Sequence, residues 1–285
     1  MAGTMDPMAL GQFTLSNDKK TMIPHFELCL FTVDCDLVRQ ANSCGIDAII
    51  VDWEWRGKEE RQKNFDTQIN HHTLDDLKAV AKIATIPIIC RINAISADTK
   101  QEIEAALSHG AAELLIPMVR TKREVEQALD WTQDRAKVGI LIETNAAVNC
   151  AMEMSSLPLS RMYLGMNDLC VENRSPHIFT PLVNGQLDAL RPKIARPFGF
   201  GGLTLPHLGH PIPCQLLVDA MVRLDCHFSF LRRAFLKDTA GKNMGSAVSQ
   251  IRHAIHCSRE KSFQQLLASH RELQQCVERR AIVQP

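Results

Sequence analysis

Short apolar runs alternate along the chain with segments of helical spacing. Residues 26–33, 48–51, 87–92, 113–119, 138–142, 162–166, 198–203 and 227–231 read as strands. Most lack polar alternation, the pattern of strands covered on both faces in a parallel sheet. Between them, 36–44, 74–83, 99–109, 122–131, 144–154, 186–190 and 214–224 carry helical spacing, and Gly45 and Gly110 stop two of these helices. The stretch 56–72 reads as a long polar loop and 169–184 as a less regular passage. Beyond Gly241 the chain is helical to about Val277, with Ala247, Ile251, Ala254 and Ile255 on one face and Phe263, Leu266 and Leu267 continuing it.

Eight strands alternating with helices predict an α/β fold, a TIM (β/α)8 barrel over residues 13–240 with additional C-terminal helices over 241–285. One of those helices completes the barrel; the rest is assigned to oligomer contacts. A doubly wound open sheet usually has fewer strands, and its dinucleotide-binding form shows a glycine fingerprint after the first strand; none follows it here. Residues 1–12 have no periodicity and read as a disordered N-terminus or a tag remnant.

The length of 285 residues fits such a barrel as one domain, and 45% hydrophobic residues fill its core. Thirty-two basic residues balance thirty-two acidic ones without a block of either sign, which argues against nucleic acid or an anionic membrane as partner and for a small molecule. The apolar stretches fall short of the ~20 residues of a membrane helix. Ten cysteines are scattered without a Cys-x-x-Cys pair or a signal peptide, so they read as reduced thiols of a cytoplasmic protein.

In a barrel of this kind, chemistry sits at the C-terminal strand tips. There the sequence places Asp52 and Glu54, Arg91 and Asn93, Pro117 and Met118, Glu143, Asp168, and the glycine-rich run 199–202. Two carboxylates ~4 Å apart repel by roughly 4 kcal/mol at an effective dielectric of 20, so one takes up a proton or a cation sits between them. Glu143 and Asp168, on neighbouring strands, suit magnesium or manganese. Glu54 or Asp52, with a modestly raised pKa, is the candidate general base. Blander readings stand beside these. A tip carboxylate also caps helices, Arg91 also pairs with a nearby acid, and Asp52 and Glu54 also pair with Arg56, Lys58 or Arg61. Trp53 and Trp55 read as packing residues. His207, His210 and Cys214 outline a weak zinc set in a loop. The glycine run serves either an anion or tight packing.

The set Asp52-x-Glu54, Arg91-Ile-Asn93, Leu115-Ile-Pro-Met-Val119, Ile142-Glu143-Thr144 and Gly165-Met-Asn-Asp168-Leu169 resembles the HpcH/HpaI aldolase and citrate-lyase β-chain family. The resemblance covers residues 27–170 in motif detail and implies a divalent-metal-dependent carbon–carbon lyase, acting on a 2-oxo acid or its aldol adduct through a metal-stabilised enolate. It implies Glu143 and Asp168 as ligands of Mg2+ or Mn2+, and Arg91 as the residue that stabilises the enolate. Gly165, Met166 and Asn167 would receive the substrate carboxylate, with Pro117 and Met118 beside it. It also implies a homo-oligomer. Two positions depart from the 2-oxo-acid aldolase branch: Trp55 stands where that branch has a histidine, and Leu141 where it has a glutamine. Both lean toward the citrate-lyase-like branch, whose substrates are often acyl-CoA thioesters, whereas Pro117-Met118-Val119 leans back toward the aldolases. With the histidine missing, a non-catalytic barrel that binds metal and oxo acid is the third alternative.

Overall fold

The computed structural model describes residues 25–61 and 70–281, so the readings of residues 1–12 and of the middle of the 56–72 loop lie outside it. Eight parallel strands close into a barrel in sequence order. They are β1 (Glu27–Phe31), β2 (Ala48–Asp52), β3 (Ile88–Arg91), β4 (Glu113–Ile116), β5 (Lys137–Ile142), β6 (Arg161–Leu164), β7 (Phe198–Phe200) and β8 (Phe228–Leu231). The predicted TIM barrel is the observed fold.

Around the strands run α1 (Cys35–Ala41), α2 (Lys58–Arg61), α3 (Leu74–Ala81), α4 (Thr99–Ser108), α5 (Lys122–Thr132), α6 (Asn145–Asn149) and α7 (Ala151–Ser155). The chain continues through α8 (Met166–Glu172), α9 (Thr180–Val183), α10 (Gln186–Leu190), α11 (Cys214–Arg223), α12 (Arg233–Thr239), α13 (Met244–Arg259) and α14 (Phe263–Ala281). Local chemistry starts several of them. Thr73 with Asp76, and Thr121 with Glu124, form reciprocal capping boxes that satisfy amides at the starts of α3 and α5.

Several sequence readings change. Residues 144–154 form two helices rather than one, parted at Cys150. The passage 169–184 is irregular only between Glu172 and Thr180, since α8 begins at Met166 and Pro181 sits in the first turn of α9. Helix α12 was not foreseen. Strand β6 ends at Leu164, so Asp168 lies in the first turn of α8 rather than at a strand tip.

Alternation along each strand separates two apolar clusters. Leu28, Leu30, Ile49, Val51 and their like face the helices, while Cys29, Phe31, Ala48, Ile50, Ile89, Leu115, Leu141, Tyr163, Phe228 and Phe230 fill the barrel. Tyr163 stacks on Phe230 at 4.1 Å, and Phe31 meets Phe230 edge-on at 5.7 Å. The same alternation carries charged residues at both ends of this plug. At the N-terminal end, Arg161 makes a fork to Glu113 at 2.6 and 2.8 Å, stands 3.0 Å from Glu27 and lies over Phe228. At the other end, Arg91 and Arg232 lie over Phe31, at 5.2 and 4.8 Å from the ring centre.

The C-terminal helices pack on their own chain. Helix α13 lies against α1 and α11, and α14 against α11 and α9. Arg252 of α13 donates to the carbonyls of Phe26 and Gly45 and to Asp47, which ties α13 to the chain just before β1 and β2. Asp219 of α11 accepts from the Ser258 hydroxyl and from Lys261 Nζ, at 2.8 and 2.7 Å from the latter, pinning the turn between α13 and α14. No helix among the described residues is long and apolar enough to cross a membrane.

Candidate active site and metal centre

The parallel register sets Asp52 of β2 directly beside Arg91 of β3. Arg91 Nε and Nη2 donate to the two Asp52 oxygens at 2.7 Å each, a planar fork, while Nη1 stands 3.0 Å from Glu54 Oε2. Asn70 donates to Asp52 Oδ2 at 2.9 Å, and the Asp52 amide donates to His72 Nδ1 at 3.0 Å. Glu54 in turn receives Lys58 Nζ at 2.8 Å and Arg61 Nη2 at 3.0 Å. All three residues Asp52, Glu54 and Arg91 are buried.

This geometry corrects the expectation of a raised pKa at Asp52 or Glu54. Burial pushes both carboxyls up, but Arg91 and Lys58 outweigh it, and both sit below the ordinary carboxylate range. They are ionised partners that orient Arg91. Burial lowers Arg91 and its two carboxylates more than offset this, so the guanidinium keeps its charge. The pairing reading of Arg91 therefore holds, and it leaves the arginine held rigidly at the barrel mouth.

Glu143 follows β5 directly, and two features fix its carboxylate. Met118, in the left-handed region at φ 55°, donates its amide to Glu143 Oε1 at 2.8 Å. Gly165 leaves the space the carboxylate fills, because a Cβ there would stand 2.2 Å from Glu143 Oε2. The Gly165 amide itself is spent on the carbonyl of Ile142 at 3.0 Å. Thr144 caps α6 through the Ala147 amide and donates to the carbonyl of Val119, which locks the 117–119 loop against the start of α6. Met118 and Gly165, expected at the substrate, hold Glu143 in place.

Asp168 reaches the same spot from the first turn of α8. Oxygens of Glu54, Glu143 and Asp168 lie within 4.8 Å of one another, and all three residues are buried. Burial raises Glu143 to about 8, with Glu54 and Asp168 adding to the effect through their charge. Three buried hard oxygen donors, one of them pushed up chiefly by burial, fit a divalent cation such as Mg2+ or Mn2+. The structure therefore brings Glu143 and Asp168 together as expected and adds Glu54 as a third donor.

Other residues were misplaced or missed. Trp53 is buried and donates Nε1 to the Thr73 carbonyl, but Trp55 is 50% exposed and is no packing residue; Arg56 lies 5.9 Å from its ring centre. Asn93 accepts from the Trp55 and Arg56 amides and so shapes the turn after Glu54. Cys214 is buried and bonded both ways to the Thr204 backbone, and it joins no ligand cluster with His207 and His210 among the described residues. Arg232, beside Arg91 over Phe31, was overlooked although it directly follows an apolar strand.

The family model for HpcH/HpaI aldolase/citrate lyase matches residues 29–177. Among solved structures, an HpcH/HpaI aldolase from Desulfitobacterium hafniense DCB-2 is 14% identical, with a TM-score of 0.55 over 72% of this chain and 85% of that one. The citrate synthase SbnG is 16% identical, with a TM-score of 0.53 over 73% of this chain and 86% of that one. At such identities the two structures show a shared fold. No curated protein sequence matches. The family match spans β1 through α8 and contains every carboxylate of the cluster as well as Arg91, and on that ground the chain belongs to the HpcH/HpaI aldolase/citrate lyase family.

Proposed function

We propose that this protein is a divalent-metal-dependent carbon–carbon lyase of the aldolase type, acting on a 2-oxo acid or its aldol adduct. The observation that carries the reading is the buried triad Glu54, Glu143 and Asp168 beside Arg91. A divalent cation, when bound, supplies Lewis acidity toward the carbonyl oxygen on which negative charge develops as the adjacent bond breaks. Glu143 and Asp168 would hold it, with Glu54 as third carboxylate. Arg91, already fixed by the Asp52 fork, places a positive charge at the same mouth without reorganising during the reaction. The amides of Met166, Asn167 and Asp168 open α8 and so lack intrahelical acceptors, which suits them to a substrate carboxylate. Pro117 and Met118 line the neighbouring loop.

A second reading, a citrate-lyase-like enzyme for acyl-CoA thioesters, is favoured by one observation. Half-exposed Trp55 occupies the histidine position of the oxo-acid branch and offers a flat face at the rim to a larger substrate. A panel of 2-oxo-acid aldol adducts and acyl-CoA thioesters, assayed with Mg2+ or Mn2+, separates the two. The leading reading expects release of a 2-oxo acid from the free adducts, lost in Glu143→Gln and Asp168→Asn. Turnover of thioesters alone would replace it with the second.

A further inference from the structure

The cations around Glu54 are of two kinds. Lys58 and Arg91 are buried, with side chains 3% and 5% exposed, and are fixed parts of the wall. Arg61 ends the four-residue helix α2, and its side chain is 27% exposed. Its Nη2 lies 3.0 Å from Glu54 Oε1 and its Nε 3.2 Å from Asp168 Oδ1, while Nη1 donates back to the Arg56 carbonyl at 3.3 Å. One guanidinium therefore bridges two of the three carboxylates that would ligate the metal.

We propose that Arg61 is the resident counter-cation of the carboxylate cluster and competes with the divalent ion for Glu54 and Asp168, so that metal enters as the guanidinium swings out. This rests on the metal-site reading above. Geometry supports it. The guanidinium stands on Glu54 Oε1 and Asp168 Oδ1, two of the three carboxylates whose oxygens lie within 4.8 Å of one another. A divalent ion held by the same carboxylates would face it closely, and two positive centres at such separations repel strongly in a partly dry pocket. The means of exit is present as well. Gly57, immediately before α2, holds φ at +66°, a conformation that favours glycine, and Arg61 has solvent on its exposed side. Metal affinity is then set by the exchange of one cation for another and not by the carboxylates alone.

The test is Mn2+ titration of the full chain by calorimetry, with thermal melts in chelator and in saturating Mn2+. Arg61→Gln keeps length and polarity but removes the charge, and should bind Mn2+ about tenfold tighter, the scale expected for losing one partly screened competing charge. Its metal-free form should melt below wild type, and its gain in Tm on adding Mn2+ should be the larger. Arg61→Lys keeps the charge but cannot bridge both carboxylates, and should fall between the two. Equal or weaker Mn2+ binding by Arg61→Gln, or a Lys variant tighter than the Gln variant, overturns the proposal. If wild type and Arg61→Gln bind equally while Asp168→Asn does not bind, the metal site stands and the competition is wrong. If neither binds, both readings fall.

Discussion

Gly165→Ala isolates the positioning of Glu143. The backbone at Gly165 has φ −85°, so alanine meets no left-handed strain, and the cost is steric. The added methyl would stand 2.2 Å from Glu143 Oε2, 2.6 Å from its Cβ and 3.0 Å from its Cδ. Glu143 must turn away and give up the Met118 amide at 2.8 Å. A hydrogen bond to a carboxyl raised to about 8 is worth about 0.5–1.5 kcal/mol, and forcing a methylene-sized group into a packed site costs about 1–3 kcal/mol. The two overlap, since relieving the clash is what breaks the bond, so a net loss of roughly 1–3 kcal/mol is expected. Urea unfolding in chelator measures it. Calorimetric Mn2+ titration should show affinity lower by about tenfold or more, because a donor has left the triad. A variant within ~0.5 kcal/mol of wild type, binding Mn2+ equally well, would refute the claim that Gly165 exists to seat Glu143.

Two further predictions concern the frame. Glu113→Gln at the barrel floor should destabilise by about 3–5 kcal/mol, since it strips the fork from buried Arg161, while Mn2+ affinity stays within about twofold. Replacing both residues with Glu113→Leu and Arg161→Met should recover much of that loss, and a double variant no better than the single one would contradict the argument. Burial raises the Asp219 carboxyl but Lys261 and Ser258 outweigh it, so its folded pKa lies below its unfolded value, near ~3.9. Its contribution is therefore complete above that pH and is lost as pH falls below about 4. The stability gap between wild type and Asp219→Asn, read by urea unfolding, should shrink over that acid range; a constant gap would exclude the ion pair as its cause.

The barrel was legible because parallel strands covered on both faces announce themselves as apolar runs, and because Glu143 and Asp52 end such runs. The pairing of Glu54 with Lys58 and Arg61, four and seven positions on, was legible as well, whereas the partners of charges on different strands were withheld. Arg91 and Asp52 are 39 positions apart and meet only through the β2–β3 register, so the sequence left open whether Asp52 and Glu54 are raised bases or depressed ion-pair partners. Arg161 and Glu113, 48 positions apart, begin two strands and look like ordinary polar boundaries until the barrel closes. Asp168 lies beside Glu143 as expected but not at a strand tip, since Gly165 turns the chain into α8 before it is reached. Helix α9 spans barely one turn, too little for periodicity to reveal.

Proton exchange at the methyl group of pyruvate in deuterated water, followed by NMR, tests the metal-held chemistry most directly. With Mg2+ or Mn2+ the wild-type protein should exchange those protons, chelation should stop it, and restoring the ion should restore it. Glu143→Gln and Asp168→Asn should be inactive throughout. Exchange that persists in both variants after chelation would contradict a metal held by these carboxylates and the chemistry argued from it.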